Sequence, residues 1–401
     1  MATQRLWNSM AAQGVLHNKV RNLLQITQKR HRVKTKWAAT HPKLTATNLA
    51  LQNFDAMYSM QLGELWPSVR VSLLSERKYG ALVNNFSCGD PVTDLQSLGC
   101  RDFIASSSTA ADPFSPPYSG SHQFYQHIVN EGTGIDLART FISPNVKCLV
   151  FPKGDTSRFK PARLDSAGLL TYYLMDAASV LPVLALNVQK EESVLDLCAA
   201  PGGKTLALLQ TQAVRFIWAN DWSGSRMSRL QRTLNSCLPH DLLSEDKLCI
   251  TSFDGREWHE LGGNTFDKVL VDVPCTTDRH SLIEEDNNIF SRSRTKEKRN
   301  LPLCQTQLLL TGLQAVRKGG EVMYSTCTLS QLQNQCVVEQ AISLANQELG
   351  ITAEIVDLQP FTTLFKDTFH FAPDLNVGAM VLPHLTANFG PIYFCKLRRL
   401  S

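Results

Sequence analysis

Residues 194–205 read Val194-Leu-Asp-Leu-Cys-Ala-Ala-Pro-Gly-Gly-Lys-Thr205. An apolar β-branched run ends in Asp196, a turn of small residues follows, and a helical pattern starts near Lys204. In doubly wound α/β sheets, nucleotide ligands bind at such a turn, outside the carboxyl end of the first strand. Gly202 and Gly203 carry no Cβ, so backbone can approach a ligand closely there. The spacing is neither Gly-x-Gly-x-x-Gly nor Gly-x-x-x-x-Gly-Lys-Ser/Thr, so a dinucleotide site and a phosphate loop are weakly supported. Working outward, short β-branched runs at 193–196, 216–221, 247–253, 267–273 and 321–326 alternate with helical stretches. That alternation predicts βαβ units and a largely parallel sheet. Helical signals precede it at 165–186. Residues 46–86 also read as helical, broken at Trp66-Pro67, and the Ser/Ala/Pro/Gly-rich stretch 106–121 reads as a linker or mobile loop.

The first four of the five expected strands close on an acid. Asp196 ends the first, Asp221 the second (18 residues beyond Gly203), Asp254 the third and Asp272 the fourth. A carboxylate at position 221 can accept both ribose hydroxyls of an adenosine. One at 254, followed by Gly255, can reach an adenine amino group. Phosphates would call for cations and helix amino-termini instead. Any one aspartate can simply cap the next helix, but four at this spacing fit an adenosyl ligand without phosphates, and S-adenosylmethionine answers that description.

Two of the eleven cysteines stand at expected strand ends, Cys275 in Asp272-Val-Pro-Cys and Cys327 in Tyr324-Ser-Thr-Cys. A parallel sheet brings consecutive strand ends to one rim, so both thiols should face one cleft. A lone buried cysteine is usually a small hydrophobe, which suffices for Cys249 or Cys395. Thiols beside a methyl donor have a further use. Carbon 5 of cytosine is a poor nucleophile until a thiolate adds to carbon 6. A second group must then help remove the carbon 5 proton, and Asp272 can hydrogen-bond the ring and stabilise the adduct. Spacing alone leaves open which cysteine attacks.

The formal net charge of +4 is unevenly distributed. The first acidic residue is Asp55. Nine basic residues precede it, leaving 31 basic and 36 acidic residues, a net −5, in 55–401. Leu16, Val20, Leu23 and Leu24 fall on one helical face of this acid-free leader. An amphipathic, acid-poor, basic amino-terminus is the pattern of a mitochondrial transit peptide, expected over 1–36; a basic tail that touches nucleic acid is the alternative. No stretch approaches the roughly 18 apolar residues of a membrane span. An odd number of cysteines without a Cys-x-x-Cys pair argues against a disulfide framework and a structural zinc site. No metal is expected.

LDLCAAPGGKT (195–205), VDVPCTTDRH (271–280) and YSTCTLSQLQN (324–334) resemble the RNA 5-methylcytosine methyltransferases of the Sun family, over more than half the chain, from about Tyr172 to FGPIYFCKLRR (389–399). The segment 53–86 is similar to the mitochondrial branch, which acts on small-subunit mitochondrial ribosomal RNA. The resemblance implies a Rossmann-like class I S-adenosylmethionine-dependent methyltransferase fold. An amino-terminal, partly helical extension (37–164) would precede a catalytic domain at 165–401. It implies that Cys327 is the nucleophile, that Cys275 promotes product release and that Asp272 contacts the base. Gly202, Gly203 and Lys204 would line the methionine side of the cofactor, with Arg226 nearby. Asp221 would hold the ribose, and Asp254 and Gly255 the adenine. The family commonly continues Pro-Cys-Ser-Gly, whereas this chain has Pro-Cys275-Thr276-Thr277, a change expected to reshape the loop near the base.

Residues 278–299 form a polar insertion ending in Arg292, Arg294, Lys296, Lys298 and Arg299, opposed only by Glu297. Beside the catalytic strand end, such a run can grip RNA phosphates; otherwise it is a solvated helix face. The −5 body lacks a separate basic RNA-binding module, so a basic partner is expected to supply affinity. The resemblance implies one of the mitochondrial transcription termination factor family, with mitochondrial ribosomal RNA as substrate, a role in assembling the mitochondrial ribosome and the mitochondrial matrix as location. A non-catalytic ribosome-assembly factor of the same fold would not need Asp272, Cys275 and Cys327 together, and a small-molecule methyltransferase would not need two rim cysteines.

Overall fold

The computed structural model describes residues 44–105, 142–260, 263–373 and 375–401. The expected leader and the expected loop at 106–121 lie outside the described residues. The first part of the chain holds helices α1 (Ala46–Leu62) and α2 (Trp66–Leu74), strand β1 (Gly80–Val83), helix α3 (Pro91–Ser97), strands β2 (Arg101–Asp102), β3 (Cys148–Val150) and β4 (Tyr172–Met175), and helix α4 (Leu181–Leu186). Alternation then sets in. β5 (Glu192–Asp196), α5 (Gly203–Gln210), β6 (Val214–Asn220), α6 (Gly224–Cys237), β7 (Leu248–Thr251) and β8 (Phe266–Asp272) lead to α7 (Asp278–Ile283) and α8 (Thr295–Ala315). β9 (Val316–Thr326), α9 (Gln335–Leu349), β10 (Ala353–Val356), α10 (Gln359–Leu364), β11 (Ala379–Val381) and β12 (Ile392–Arg399) complete it.

The large sheet runs β10-β12-β9-β8-β5-β6-β7, with β11 against β12. β5 pairs in parallel with both β6 and β8, and β8 with β9, while β12 is antiparallel to β9. Strand order reverses at β5, so a crevice opens between the carboxyl ends of β5 and its neighbours. Successive side chains leave a strand on opposite faces. Val194, Leu270 and Met323 therefore join one core with α4, α5 and α6. Leu195, Val269, Val271, Val322 and Tyr324 join the other, under α1, α2, α8 and α9.

Two helical expectations are corrected. Within 165–186, Tyr172–Met175 is a strand and only Leu181–Leu186 is α-helix, preceded by a 3-10 turn at Ala177–Val180. Tyr172 and Leu174 pack with Leu149 and Phe159, whereas Tyr173 and Met175 face the main core, a two-residue period. Within 46–86, α1 stops at Gly63 (φ +52). Pro67 sits in the first turn of α2, where a missing N–H loses no helical bond; residues 80–83 are strand. The small antiparallel sheet runs β2-β3-β1-β4. The boundary expected at 165 does not separate the two sheets, since β4 lies beyond it.

The extension is tied to the main sheet by polar groups, one exposed and others buried. Glu285 accepts the first amides of α1, Ala46 and Thr47, each at 3.0 Å, as a carboxylate on a helix amino-terminus. Arg279, beside α7's start, donates to the terminal carbonyls of α2 at Ser72 (3.1 Å) and Ser75 (3.2 Å), to Gly390 O (3.1 Å) and to Asn388 Oδ1 (2.8 Å). Asn388 Nδ2 donates to Ser72 O (2.9 Å) and Glu76 O (2.8 Å). Arg279→Ala removes the guanidinium that bonds Gly390 O and Asn388 Oδ1 and is expected to cost about 3 kcal/mol of stability, measurable by urea unfolding.

Candidate active site

The crevice at β5 is shaped by glycine. Gly202 has φ +108, and a Cβ there would lie 2.9 Å from Leu230. Any other residue would carry backbone strain as well as a clash. A cavity of about 630 Å³ opens beside it, lined by Leu197, Asp221, Trp222, Asp254, Gly255 and Leu308 among others. A Cβ on Gly255 would sit 3.1 Å from both Leu197 and Leu308, so the bare backbone lets these two apolar side chains pack against it in the cavity wall. Apolar walls with a buried carboxylate at Asp221 suit an adenosyl group. A second cavity of about 570 Å³ contains Lys204, Asp272, Cys275, Thr277, His280 and Cys327. Trp222, Arg226, Pro274, Asn287, Arg294 and Glu297 line both cavities, so the two share a wall.

The expected site residues divide between these spaces. Asp221, Asp254 and Gly255 line the first, Lys204, Asp272, Cys275 and Cys327 the second, and Arg226 both. Gly202 and Gly203 line neither; they form the turn into α5. Asp196 lies behind the wall, buried, accepting from Thr205 Oγ1 at 2.7 Å. Burial, opposed by that hydrogen bond and reinforced by Asp272, pushes its carboxyl up to about 7. The four acidic strand ends thus do not act alike.

Asp221 Oδ2 accepts from Ala200 N at 3.3 Å and lies 3.4 Å from the Arg226 guanidinium. Burial raises its carboxyl above the usual range, and Arg226 only partly offsets that. Asp254 is held by Arg256, whose Nε lies 2.9 and 3.0 Å from its two oxygens, and this bonding lowers its carboxyl. Lys204 Nζ donates to Asp272 Oδ2 at 2.8 Å, and Ser325 Oγ donates to Asp272 Oδ1 at 2.7 Å. Burial alone would push the Lys204 ammonium down; Asp272, with Cys327 and Asp196 behind it, outweighs burial and raises it.

β8 and β9 run in parallel register with Asp272 opposite Ser325, and their ends bring Cys275 Sγ to 3.3 Å from Cys327 Sγ. The Cys275 sulfur also faces the amides of Thr277 and Cys327, each at 3.4 Å. The donated Cys327 thiol, then these amides, hold Cys275 below the usual cysteine range despite burial, and Cys327 is raised in turn.

Several supporting residues escaped the sequence reading. Thr276 Oγ1 donates to Asp278 Oδ1 (2.7 Å), Tyr58 OH and Leu329 N donate to Asp278 Oδ2 (both 2.8 Å), and Thr276 N donates to Gln333 Oε1 (3.1 Å). This buried network joins both cysteine loops to α1. Asp278 stands inside a quoted motif, but nothing marks Tyr58 as its partner 220 residues away. The basic run is partly engaged. Arg294 pairs with Glu297 and donates to Asn287, and the Lys298 ammonium lies 4.3 Å from the Phe290 ring centroid; Arg292, Lys296 and Arg299 are exposed.

The strand order and the crevice define a class I methyltransferase that uses S-adenosylmethionine. Residues 183–394 match the family described as 16S rRNA methyltransferase RsmB/F. The chain is 55% identical over 374 residues to the 5-cytosine rRNA methyltransferase NSUN4 of Bos taurus, covering 93% of this chain and 94% of the relative. It is 34% identical over 354 residues to the mitochondrial tRNA (cytosine(34)-C(5))-methyltransferase of Mus musculus, covering 88% and 90%. A methyltransferase homologue from Pyrococcus horikoshii shares the fold at a TM-score of 0.53 and 21% identity, over 90% of this chain and 100% of that one. The chain belongs to the RsmB/F family, the Sun-type RNA cytosine-5 methyltransferases.

The thiol pair makes a testable electrostatic claim. Because the Cys327 thiol is the largest influence lowering Cys275, Cys327→Ala should move the Cys275 titration to higher pH. The thiolate absorbance difference between each protein and its Cys275→Ala counterpart reads this directly.

Proposed function

We propose that this chain methylates carbon 5 of a cytosine in small-subunit mitochondrial ribosomal RNA through a covalent adduct with Cys327. The observation that carries the reading is the 3.3 Å approach of two sulfurs in a cavity that shares a wall with the adenosyl-sized one. The Cys327 thiol gives up its proton to solvent as the base enters. The Cys327 thiolate then forms a bond to carbon 6, and the displaced π electrons are held on the ring, which Asp272 and Lys204 contact. S-adenosylmethionine supplies the methyl group as an electrophile. Carbon 5 gains the methyl and must lose its proton. The Cys275 sulfur accepts that proton. The carbon–hydrogen electron pair restores the double bond, and the sulfur–carbon 6 bond breaks with its pair returning to Cys327.

The cofactor roles follow the lining of the cavities. Asp221 holds the ribose, with Arg226 beside it. Gly255 leaves space for the adenine, and Asp254, braced by Arg256, stands at its edge. Gly202 and Gly203 turn the chain so that Lys204 reaches the methionine side. A target base in folded RNA must leave its stack to enter the second cavity, and Arg292, Lys296 and Arg299 grip phosphates beside it.

The acid-free leader, and the mitochondrial tRNA enzyme among the relatives, support action in the mitochondrial matrix, with a role in ribosome assembly. The −5 body supports a basic partner, of the mitochondrial transcription termination factor family, that supplies RNA affinity. The chain alone should bind its RNA weakly at physiological salt, and partner addition should tighten it; tight binding by the chain alone in a filter-binding titration would refute the need for a partner.

With cofactor and unmodified RNA transcript, Cys275→Ala should accumulate a covalent protein–RNA adduct resistant to denaturing gel electrophoresis, and Cys327→Ala should form none. The reverse pattern would exchange the two roles. Absence of the methyl mark on RNA from cells expressing the parent protein would leave a non-catalytic assembly factor.

A further inference from the structure

Thr277 occupies a backbone conformation that threonine disfavours. Its φ is +47 and ψ 63, the left-handed region. Among the described residues it is the one β-branched side chain with positive φ; the other non-glycine cases are Asn, Gln or Glu. A second heavy atom on Cβ makes this conformation an outlier that costs energy and persists only where the surroundings over-determine it. The related Pro-Cys-Ser-Gly pattern has glycine here, which would meet no such strain.

The surroundings do over-determine it. Both neighbours are fixed by the buried network, Thr276 through Gln333 and Asp278, and Asp278 through Tyr58, Leu329 N and its own amide on Cys327 O at 3.2 Å. Thr277 itself is half-buried, lines the second cavity and faces inward to Cys275. Its amide donates to Cys275 Sγ at 3.4 Å, its hydroxyl donates to Cys275 O at 3.3 Å, and Oγ1 lies 3.9 Å from Sγ. Its carbonyl accepts from Ser281 N at 2.9 Å at the start of α7, and its amide and hydroxyl both turn to one cysteine, which gives the strained residue a reason to be strained.

We propose that Thr277 is a positioning residue for Cys275: its side chain locks the loop so that amide and hydroxyl hold the sulfur toward Cys327, and this sets how fast the cytosine adduct is resolved. The proposal rests on the reading of Cys275 as the residue that promotes release. In that step the carbon 5–hydrogen bond breaks, the proton passes to the Cys275 sulfur, the pair re-forms the carbon 5–carbon 6 double bond, and Cys327 departs as thiolate. Glycine at 277 keeps the amide but loses the hydroxyl and the stiffness of the branched side chain. Serine keeps the hydroxyl.

The test uses the full chain with S-adenosylmethionine and an unmodified small-subunit mitochondrial ribosomal RNA transcript, comparing Thr277→Gly, Thr277→Ser and Cys275→Ala. Methyl transfer in a single turnover and subsequent adduct loss are followed separately. Thr277→Gly should resolve the adduct about fivefold more slowly, the scale of one hydrogen bond to a neutral carbonyl, and this loss should exceed any change in its single-turnover methyl transfer. Thr277→Ser should recover most of the loss. Thr277→Gly should melt no lower than the parent, because relief of left-handed strain offsets the added freedom of the unfolded chain. If Cys275→Ala traps the adduct but Thr277→Gly resolves it at the parental rate, or if Thr277→Ser is as slow as Thr277→Gly, the positioning role is overturned. If Cys275→Ala traps no adduct, the release reading fails, and the role of Thr277 with it.

Discussion

The parallel pairing of β8 with β9 is the constraint on which the site depends. Once Asp272 lies opposite Ser325, the two chains must leave the sheet side by side on the same rim. Cys275 and Cys327 follow a few residues later, and their sulfurs come within hydrogen-bond reach although 52 positions separate them. A slip of one residue would exchange the faces of every side chain on one strand. The apolar side chains of Val269, Val271, Val322 and Tyr324, committed to one core, and Leu270 and Met323, committed to the other, forbid that slip. Reactivity here is thus a product of hydrophobic register.

The rim is rich in carboxylates, and the protein manages each by a different physical means. Asp272 is paired with Lys204 and a hydroxyl. Asp254 is neutralised by Arg256. Asp221 is buried with an arginine at slightly longer range and stays a hungry acceptor on the cavity wall. Asp196 is fully buried without a cation in hydrogen-bonding contact and drifts towards neutrality. Burial favours the uncharged form and pairing the charged one, so one residue type yields a buried acceptor on the cavity wall, an arginine-braced edge, a lysine-paired carboxylate and a structural acid.

The regular half of the fold was legible because its strands are short apolar runs and its turns end in residues of unmistakable chemistry. Cys275, Cys327 and Asp272 were legible for the same reason, since a parallel sheet converts strand ends into neighbours. The irregular half was not. Tyr172–Met175 looks helical in isolation, and only its partner β1, some 90 residues earlier, makes it a strand. The contact of Tyr58 with Asp278 has no local signal, because the two meet only after α1 docks. Thr277 reads as an ordinary threonine; its backbone angle is set by what its neighbours bond to. Which glycines touch a cavity was also beyond reach, since Gly202 works through the turn while Gly255 lies in the cavity wall under Leu197 and Leu308.

Arg279 draws together three remote parts of the chain: the end of α2 near residue 72, the α7 turn, and the segment at 388–390. Two residues before it stands Thr277, and two before that Cys275. The loop carrying one of the two thiols is therefore completed only when residues from both ends of the polypeptide have met. A chain still emerging from the ribosome lacks residues 388–390 and cannot yet make these contacts. Closure of the cysteine loop is thereby tied to a segment made near the end of synthesis.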